Sequence, residues 1–585
     1  MKKYLFLSVV ILGFSGIANA SGIYFGMPGA VKAQVDKLDQ KIADARAEKD
    51  RQAALPAYPV NSTIRTTLES TVIPVAVPGG SPLVGPNEGA KFAQYGYGVW
   101  QAGAALAVVK STDIMPSGYT PTTNAARLLH FFTMSDVHIT DVQCPANLMV
   151  SGLTNAGNSS AYSPVMPYTT QVLDAAVQTV NGLHAKQAMD FGLFLGDASN
   201  NSEYNELRWY IDTIDGKTIN PNSDPINSYS TDYMRAFKTA GLDKTIPWYQ
   251  VLGNHDHFYL GTWAQSPQTM NAAIGETLMD VNISTPNPLT GTGFYGGVVK
   301  SSTPYGEVYG AGPEANFATP PSVNANPDRR SLPKTAWINE FFNTTSGPVG
   351  HGFDKNNLSF PCYSFMPKAD LPIKVIVLDD TEKDDVAGMA GAAGYLDSTR
   401  YNWLVSQLDS GQAADQLMII AAHVPILPGL WDPTSTPTLA NLITKLHTYP
   451  NLLMWMSGHL HRNVITAIPS TDPAHPEFGF WMVETPSLRD YAQQFRVFDI
   501  MRNSDDNISI VATDVDPAVT TGSPAEISRS YSIAASQLFT AANPFPPVNT
   551  PSHAYNAELF KQLTPAMQTK IHNYGTFPVA TQLHR

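Results

Sequence analysis

Five clusters of donor side chains punctuate the chain: Asp136-x-His138, Gly196-Asp197, Gly253-Asn254-His255-Asp256, His423, and Gly458-His459-Leu460-His461. Aspartate, histidine and asparagine offer the carboxylate, imidazole and amide donors that divalent transition metals accept, and one shared carboxylate can hold two ions side by side. Taken singly, each has a plainer use. Asp136 or Asn254 alone suits a turn or a helix cap, and His423 alone suits a satisfied core histidine. Their common placement is what raises them above that reading.

Each cluster follows an apolar run. Residues 127–134 have strand length and end at Ser135-Asp136-Val137-His138. Residues 168–186 have helical spacing, and 191–195 form a buried-type strand ending at Gly196-Asp197, which predicts a strand–helix–strand unit with parallel pairing. A helix over 203–214 precedes a strand over 247–252 that delivers Asn254 and His255. Farther on, strands over 373–379 and 416–422 alternate with helices over 396–408 and 438–447, and 452–456 runs into the glycine turn at Gly458. In open α/β sheets, sites form outside the carboxyl ends of strands. After His461, strands are predicted at 464–468, 479–483, 495–500 and 508–511, paired antiparallel.

At 585 residues the chain is long for one domain, and 43% hydrophobic against 15% charged residues suits a globular protein. Residues 1–20 have the form of a secretory signal: Lys2 and Lys3, an apolar stretch, then Ala18-Asn19-Ala20 as a cleavage site, so a secreted or periplasmic location is expected. Removing that leader takes away two lysines from a chain already at −13. Such an acidic surface disfavours nucleic acid or an anionic membrane as partner, and no later stretch reaches transmembrane length. The two cysteines, Cys144 and Cys362, either pair in an oxidising compartment or remain buried thiols.

Three segments follow the leader: an N-terminal appendage over 21–125 with a charged helix at 31–54, a catalytic domain over 126–515 that contains a loop-rich insertion at 257–370 suited to a lid or substrate wall, and a tail over 516–585 whose clear element is a helix near 555–572.

The five clusters, in type and order, resemble the calcineurin-like metallophosphoesterase superfamily; the Gly-Asn-His-Asp and Gly-His-x-His pair carries the resemblance, which spans about residues 127–511. It implies a four-layer αββα sandwich of two mixed sheets flanked by helices. It implies two transition-metal ions (Mn, Fe or Zn), one held by Asp136, His138, Asp197 and His461, the other by Asp197, Asn254, His423 and His459, with Asp197 bridging. On the same resemblance a metal-bridging hydroxide attacks a phosphomonoester or phosphodiester, with His255 stabilising the transition state or protonating the leaving group and Asp256 orienting His255. Two branches are disfavoured. Purple acid phosphatases carry a tyrosine where this chain has Asn200 and a glycine where it has His138, and Ser/Thr protein phosphatases differ after Gly196-Asp197. A secreted nucleotidase, a phospholipid-directed diesterase and a metal-stabilised binding protein without turnover are the alternatives to a general phosphoesterase acting on a small phosphorylated substrate.

Of the remaining candidates, His257, His351, Arg462, Asn200 and the rim segment 484–490 lie beside ligands or in the insertion and are weaker substrate contacts. His130, His184, His447 and His475 are expected to be structural. His459 and His461, alternate residues of an extended turn, are expected to face different ions.

Overall fold

Side chains of consecutive strand residues point to opposite faces, and in this chain both faces of the strands beneath the donor clusters are buried. The computed structural model describes residues 40, 55–224, 232–299, 303, 305–381, 392–539, 552 and 554–575. The chain divides into Met1–Pro56 and Ala57–Arg585, and the sheets and helices here belong to the second unit. The expected leader and, apart from Gln40, the helix at 31–54 lie outside the described residues.

In chain order the strands of the two large sheets begin with β1 (Val109–Ser111), β2 (Asn124–Met134), β3 (Phe191–Phe194), β4 (Trp248–Gln250) and β5 (Tyr363–Phe365). Next come β6 (Ile373–Val377), β7 (Leu417–Ala421), β8 (Leu452–Ser457) and β9 (Val464–Ile468). The set ends with β10 (Phe480–Glu484), β11 (Phe495–Asn503), β12 (Ile508–Val515) and β13 (Ala557–Lys561). The main helices are α1 (Thr169–Lys186), α2 (Tyr204–Asp215), α3 (Ser398–Ala413), α4 (Leu439–Leu446), α5 (Pro524–Phe539) and α6 (Pro565–Ile571).

The seven-stranded sheet has the order β1-β13-β12-β11-β2-β3-β4, with β2, β3 and β4 parallel. The six-stranded sheet has the order β5-β6-β7-β8-β10-β9, with β6, β7, β8 and β10 parallel. Strand alternation explains how they stack. On β2, Leu129 and Phe131 join the apolar layer between the sheets, where they meet Leu417, Ile419 and Ala421 of β7. Phe132 and Met134 face the other way, onto Val172 and Val177 of α1 and Ile211 of α2. Met418 and Ile420 of β7 likewise face outward, onto Leu404 and Leu408 of α3 and Leu442 of α4. The layers are therefore helix, sheet, sheet, helix, the αββα sandwich of two mixed sheets that the resemblance implies. Side-chain caps start the outer helices: Asp397 accepts the Arg400 N–H at α3, and Thr438 accepts that of Asn441 at α4.

Three local expectations need correction. Of the strands after His461, β10 runs parallel to β8 and only its hairpin partner β9 is antiparallel to it. Residues 555–572 are not one helix: β13 comes first and α6 follows. The insertion is more ordered than its composition suggests, with helices Pro267–Ile274 and Lys334–Glu340, and it contributes β5 to the edge of the six-stranded sheet. Segments 109–111 and 557–561, assigned to appendage and tail by their sequence, both lie in the seven-stranded sheet. Among the described residues no helix is long and apolar enough to cross a membrane.

Candidate metal centre

The carboxyl ends of β2, β3 and β4 in one sheet and of β7 and β8 in the other converge, and the loops leaving them bend sharply. Asp136, His138, Asp197, His459 and His461 all have left-handed backbone, with φ of 52°, 47°, 53°, 70° and 57°. A non-glycine residue in that region costs on the order of 1–3 kcal/mol and persists where its surroundings enforce it. The enforcement is mutual. Asp136 N–H donates to the Gly196 carbonyl (3.1 Å), His138 N–H to the Asp197 carbonyl (2.9 Å) and Gly458 N–H to the His423 carbonyl (3.0 Å). The turn bearing His459 and His461 is thus not extended. Even so, its two imidazoles face different neighbours.

His461 Nε2 lies 3.2 Å from Asp136 Oδ1 and 3.1 Å from His138 Nε2. His138 Nε2 is also 3.5 Å from Asp197 Oδ2. On the other side, His423 Nε2 is 3.3 Å from the same Asp197 Oδ2 and 2.9 Å from Asn254 Oδ1, and His459 Nδ1 is 3.2 Å from Asn254 Oδ1. Two donors about 2.1 Å from a common cation are roughly 3.0–3.4 Å apart at octahedral or tetrahedral angles. The observed spacings are of that size, and the His138 and His461 Nε2 atoms are aimed at one another. The residues therefore fit metal binding, with Asp197 common to both sides. His255 also comes near: one donor atom each from His138, Asp197 and His255 lie within 4.8 Å of one another, as do those of Asp136, His138 and His461 and those of Asp136, Asp197 and His423.

The electrostatics follow from burial and charge. Burial alone would lower every imidazole here. At His423 the Asp197 carboxylate outweighs it and holds the group up at about 10, and at His461 Asp136, aided by Asp490, holds it at about 9. At His459 burial wins, reinforced by charged His423, and the group falls to about 3; burial lowers His138 and His255 as well. Burial would raise Asp136 and Asp197, but His461 and His423 respectively turn this into a net lowering. The carboxylates demand positive charge, and two imidazoles supply it as protons.

Around the donors sits a layer of buttresses. Asp256 does not orient His255, contrary to the sequence expectation. Its carboxylate accepts the backbone N–H groups of Asp197 (3.0 Å), Ala198 (2.9 Å) and Gly253 (2.8 Å), holding the bridging loop in place. The His255 Nδ1 instead bonds to the Asn200 carbonyl at 2.7 Å. Asp380, at the end of β6, does for His423 what Asp256 does for Asp197, accepting the N–H groups of His423 and Val424 at 3.0 Å each. Asp490, from the rim segment, bonds His461 Nδ1 at 2.5 Å and is itself held by Arg489 at 3.1 Å. Such carboxylate–histidine pairs fix the tautomer and aim of a ligand. Residues after the end of a strand were the available signal for Asp380 and Asp490; their partners come from distant loops.

The weaker substrate candidates are occupied elsewhere. The guanidinium of Arg462 grips buried Glu484 at 3.1 and 3.4 Å. Asn200 spends its side chain on Arg489 and the Ser160 carbonyl. His257 bonds Thr381, and His351 stacks on Trp248 and bonds its carbonyl. His130, His184, His447 and His475 bond Asp499, Thr245, the Phe478 carbonyl and Glu477 in turn. Cys144 and Cys362 are free thiols buried in separate apolar clusters, so the pairing alternative is not the one adopted.

A cleft of about 650 Å³ opens onto Asp197, Asn254, His255, His459 and His461. Its walls come from the segment between residues 148 and 164, from the insertion at Trp263 and Ile283, and from Ala535 and Phe539 of α5. Close approach of the loops leaves no room for a side chain at Gly458, where a β-carbon would overlap the Ser135 hydroxyl and the Asp136 carboxylate. Gly458→Ala is expected to lower stability by about 1–3 kcal/mol, the usual cost of overpacking, and to weaken metal retention through displaced Asp136. Thermal unfolding with metal analysis checks this; a variant with wild-type values for both would refute it.

A dimetal phosphatase from Danio rerio is similar in structure, with 12% identity and a TM-score of 0.33 over 67% of this chain and 100% of the other. A structure described as "Putative 5'-Nucleotidase from Staphylococcus aureus in complex with alpha-ketoglutarate" is similar with 11% identity and a TM-score of 0.27, over 69% of this chain and 57% of its own. No family model matches the chain, and no curated protein does. At this overlap neither likeness bears on chemistry, which stands on a buried cluster of aspartate and histidine donors that could bind metal.

Proposed function

We propose that this protein is a dinuclear metal-dependent phosphoesterase that hydrolyses phosphomonoesters or phosphodiesters. The observation that carries the proposal is the single Asp197 carboxylate oxygen within 3.5 Å of His138 Nε2 and 3.3 Å of His423 Nε2, with a further set of donors on each side. Asp136, His138, Asp197 and His461 would hold one ion; Asp197, Asn254, His423 and His459 the other. When bound, the ions would supply Lewis acidity toward phosphate oxygens and a water acidic enough to act as nucleophile near neutral pH. The chain's own contribution is to aim and dry the site. Asp490 and the Leu195 carbonyl fix the rings of His461 and His423 through Nδ1. The Asn200 main-chain carbonyl accepts a hydrogen bond from His255 Nδ1–H, which would leave Nε2 to exchange a proton with a substrate oxygen. The residue types suit Mn, Fe or Zn alike.

The test is hydrolysis of bis(p-nitrophenyl) phosphate and of p-nitrophenyl phosphate by stripped protein resupplied with each of these metals. Turnover restored by metal is expected, and the better ester tells diesterase from monoesterase. A rate untouched by chelators would sink the proposal. Bound metal with no turnover on either ester would favour the binding-protein reading.

A further inference from the structure

Among the described residues, the walls of the cleft away from its donor end carry no charge. Among the described residues lining it there is no Lys, Arg or Glu, and its only carboxylates are Asp197 and Asp490 at the donor end. The guanidinium nearest in the network, Arg489, is fully buried behind the wall and bonded to Asn200, Asp490 and Ser159. Away from the donors the surface is aromatic and aliphatic, with Leu148, Tyr162, Trp263, Ile283 and Phe539 interleaved with serine and threonine hydroxyls. Proteins that grip a second phosphate do so with arginine, lysine or a helix N-terminus, because an ionised phosphate moved from water to an uncharged wall loses hydration that nothing replaces. At about 650 Å³ the cleft is far larger than one phosphate group needs and falls in the range that encloses a drug-sized organic group.

We infer that the substrate is an ester carrying a single phosphoryl group whose organic part is uncharged and apolar or aromatic. Nucleoside diphosphates and triphosphates, pyrophosphates and sugar bisphosphates are excluded. The phosphoryl group takes the donor end, and the organic part lies between the 148–164 segment, the insertion and α5. Trp263 and Phe539 contribute specificity by burying the organic part. The inference rests on the phosphoesterase proposal for its phosphoryl end, whereas the uncharged wall stands on the lining residues themselves.

Three aryl esters with leaving phenols of similar acidity separate the terms: phenyl phosphate, 2-naphthyl phosphate and 4-(phosphonomethyl)phenyl phosphate, each with metal-loaded full-length protein. The second ring is expected to raise kcat/KM roughly tenfold, from about 50 Å² more apolar area buried, and the second anion to lower it by a similar factor. In Trp263→Ala the naphthyl-to-phenyl ratio should fall toward one, and Phe539→Ala should act the same way if the first variant misfolds. Ala535→Lys, which sets a cation on the half-buried face of α5, should recover the phosphonomethyl ester relative to phenyl phosphate. Equal kcat/KM for all three esters, or a preference for the dianion-bearing one, would overturn the inference while leaving the phosphoesterase proposal standing. If none is hydrolysed, calorimetry decides: tighter binding of 2-naphthylmethylphosphonate than of methylphosphonate sustains the assignment of the wall, and equal binding overturns it.

Discussion

Asp197→Asn is expected to reduce phosphoester hydrolysis by about a thousandfold or more and to lower bound metal on both sides of the centre. Loss of a residue merely adjacent to a ligand costs roughly 10–100-fold, and one carboxylate oxygen of Asp197 lies close to an imidazole of each donor set. Its Oδ2 faces His138 and His423, while its Oδ1 accepts the His255 N–H at 2.9 Å. Asparagine preserves shape and can keep the second contact, so the fold should survive. What disappears is the negative charge that holds His423 up at about 10. Metal analysis by mass spectrometry, with turnover and thermal unfolding on the same sample, checks the result. A folded variant with full metal content and wild-type turnover would remove the bridge from the proposal.

His255→Ala should behave differently: kcat falls by about 10²–10⁴-fold, the range for loss of a positioned acid–base group, while both ions remain. His255 is buried, lines the cleft and has its Nδ1 committed to the Asn200 carbonyl, so its other nitrogen is the one left for proton exchange. Its ring packs edge-on to that of His138 with centroids 4.5 Å apart. The same closeness makes the outcome informative, because a donor atom of His255 falls within 4.8 Å of those of His138 and Asp197. Metal analysis distinguishes the two roles. Loss of an ion in the variant would place His255 among the ligands, and wild-type turnover would leave it no role in the chemistry.

Most of the layered fold is legible in the sequence because parallel strands buried on both faces read as continuous apolar runs, as at Phe191–Phe194 and Leu452–Ser457. The donor clusters stand out because such residues recur at the ends of five apolar runs in one chain, although each alone has a plainer use. Residues whose environment contradicts their composition are not legible this way. The strand Ala557–Lys561 reads Ala-Glu-Leu-Phe-Lys, a helix-like mix, yet it is buried because strands lie on both sides of it. Helix Pro524–Phe539 hides its periodicity among serines and alanines that pack closely on α1. In the site, Asp256 stands next to His255 in sequence and looks like its partner. Its true partners are amides of the preceding ligand loop, brought close by the pairing of β3 with β4. Asp490 stands in the rim segment 484–490 that the sequence singles out, but its pairing is hidden for the converse reason, since its partner His461 lies 29 residues away.

The seating of β13 between β1 and β12 also bears on how the chain comes to be assembled. A growing polypeptide presents residues 109–111 long before residues 557–561, and the two must lie side by side. Contacts so far apart in sequence form slowly. The far edge of the seven-stranded sheet therefore stays open until residues 557–561 have been made, with β12 lacking its outer neighbour. At the opposite edge, β2, β3 and β4 are complete by residue 250. The strands that lead into Asp136, Asp197 and Asn254 can thus be laid down first, and β13 acts as the closing seam. A chain cut short before that seam would retain every donor named above while exposing an unpaired strand edge, the surface on which neighbouring chains aggregate.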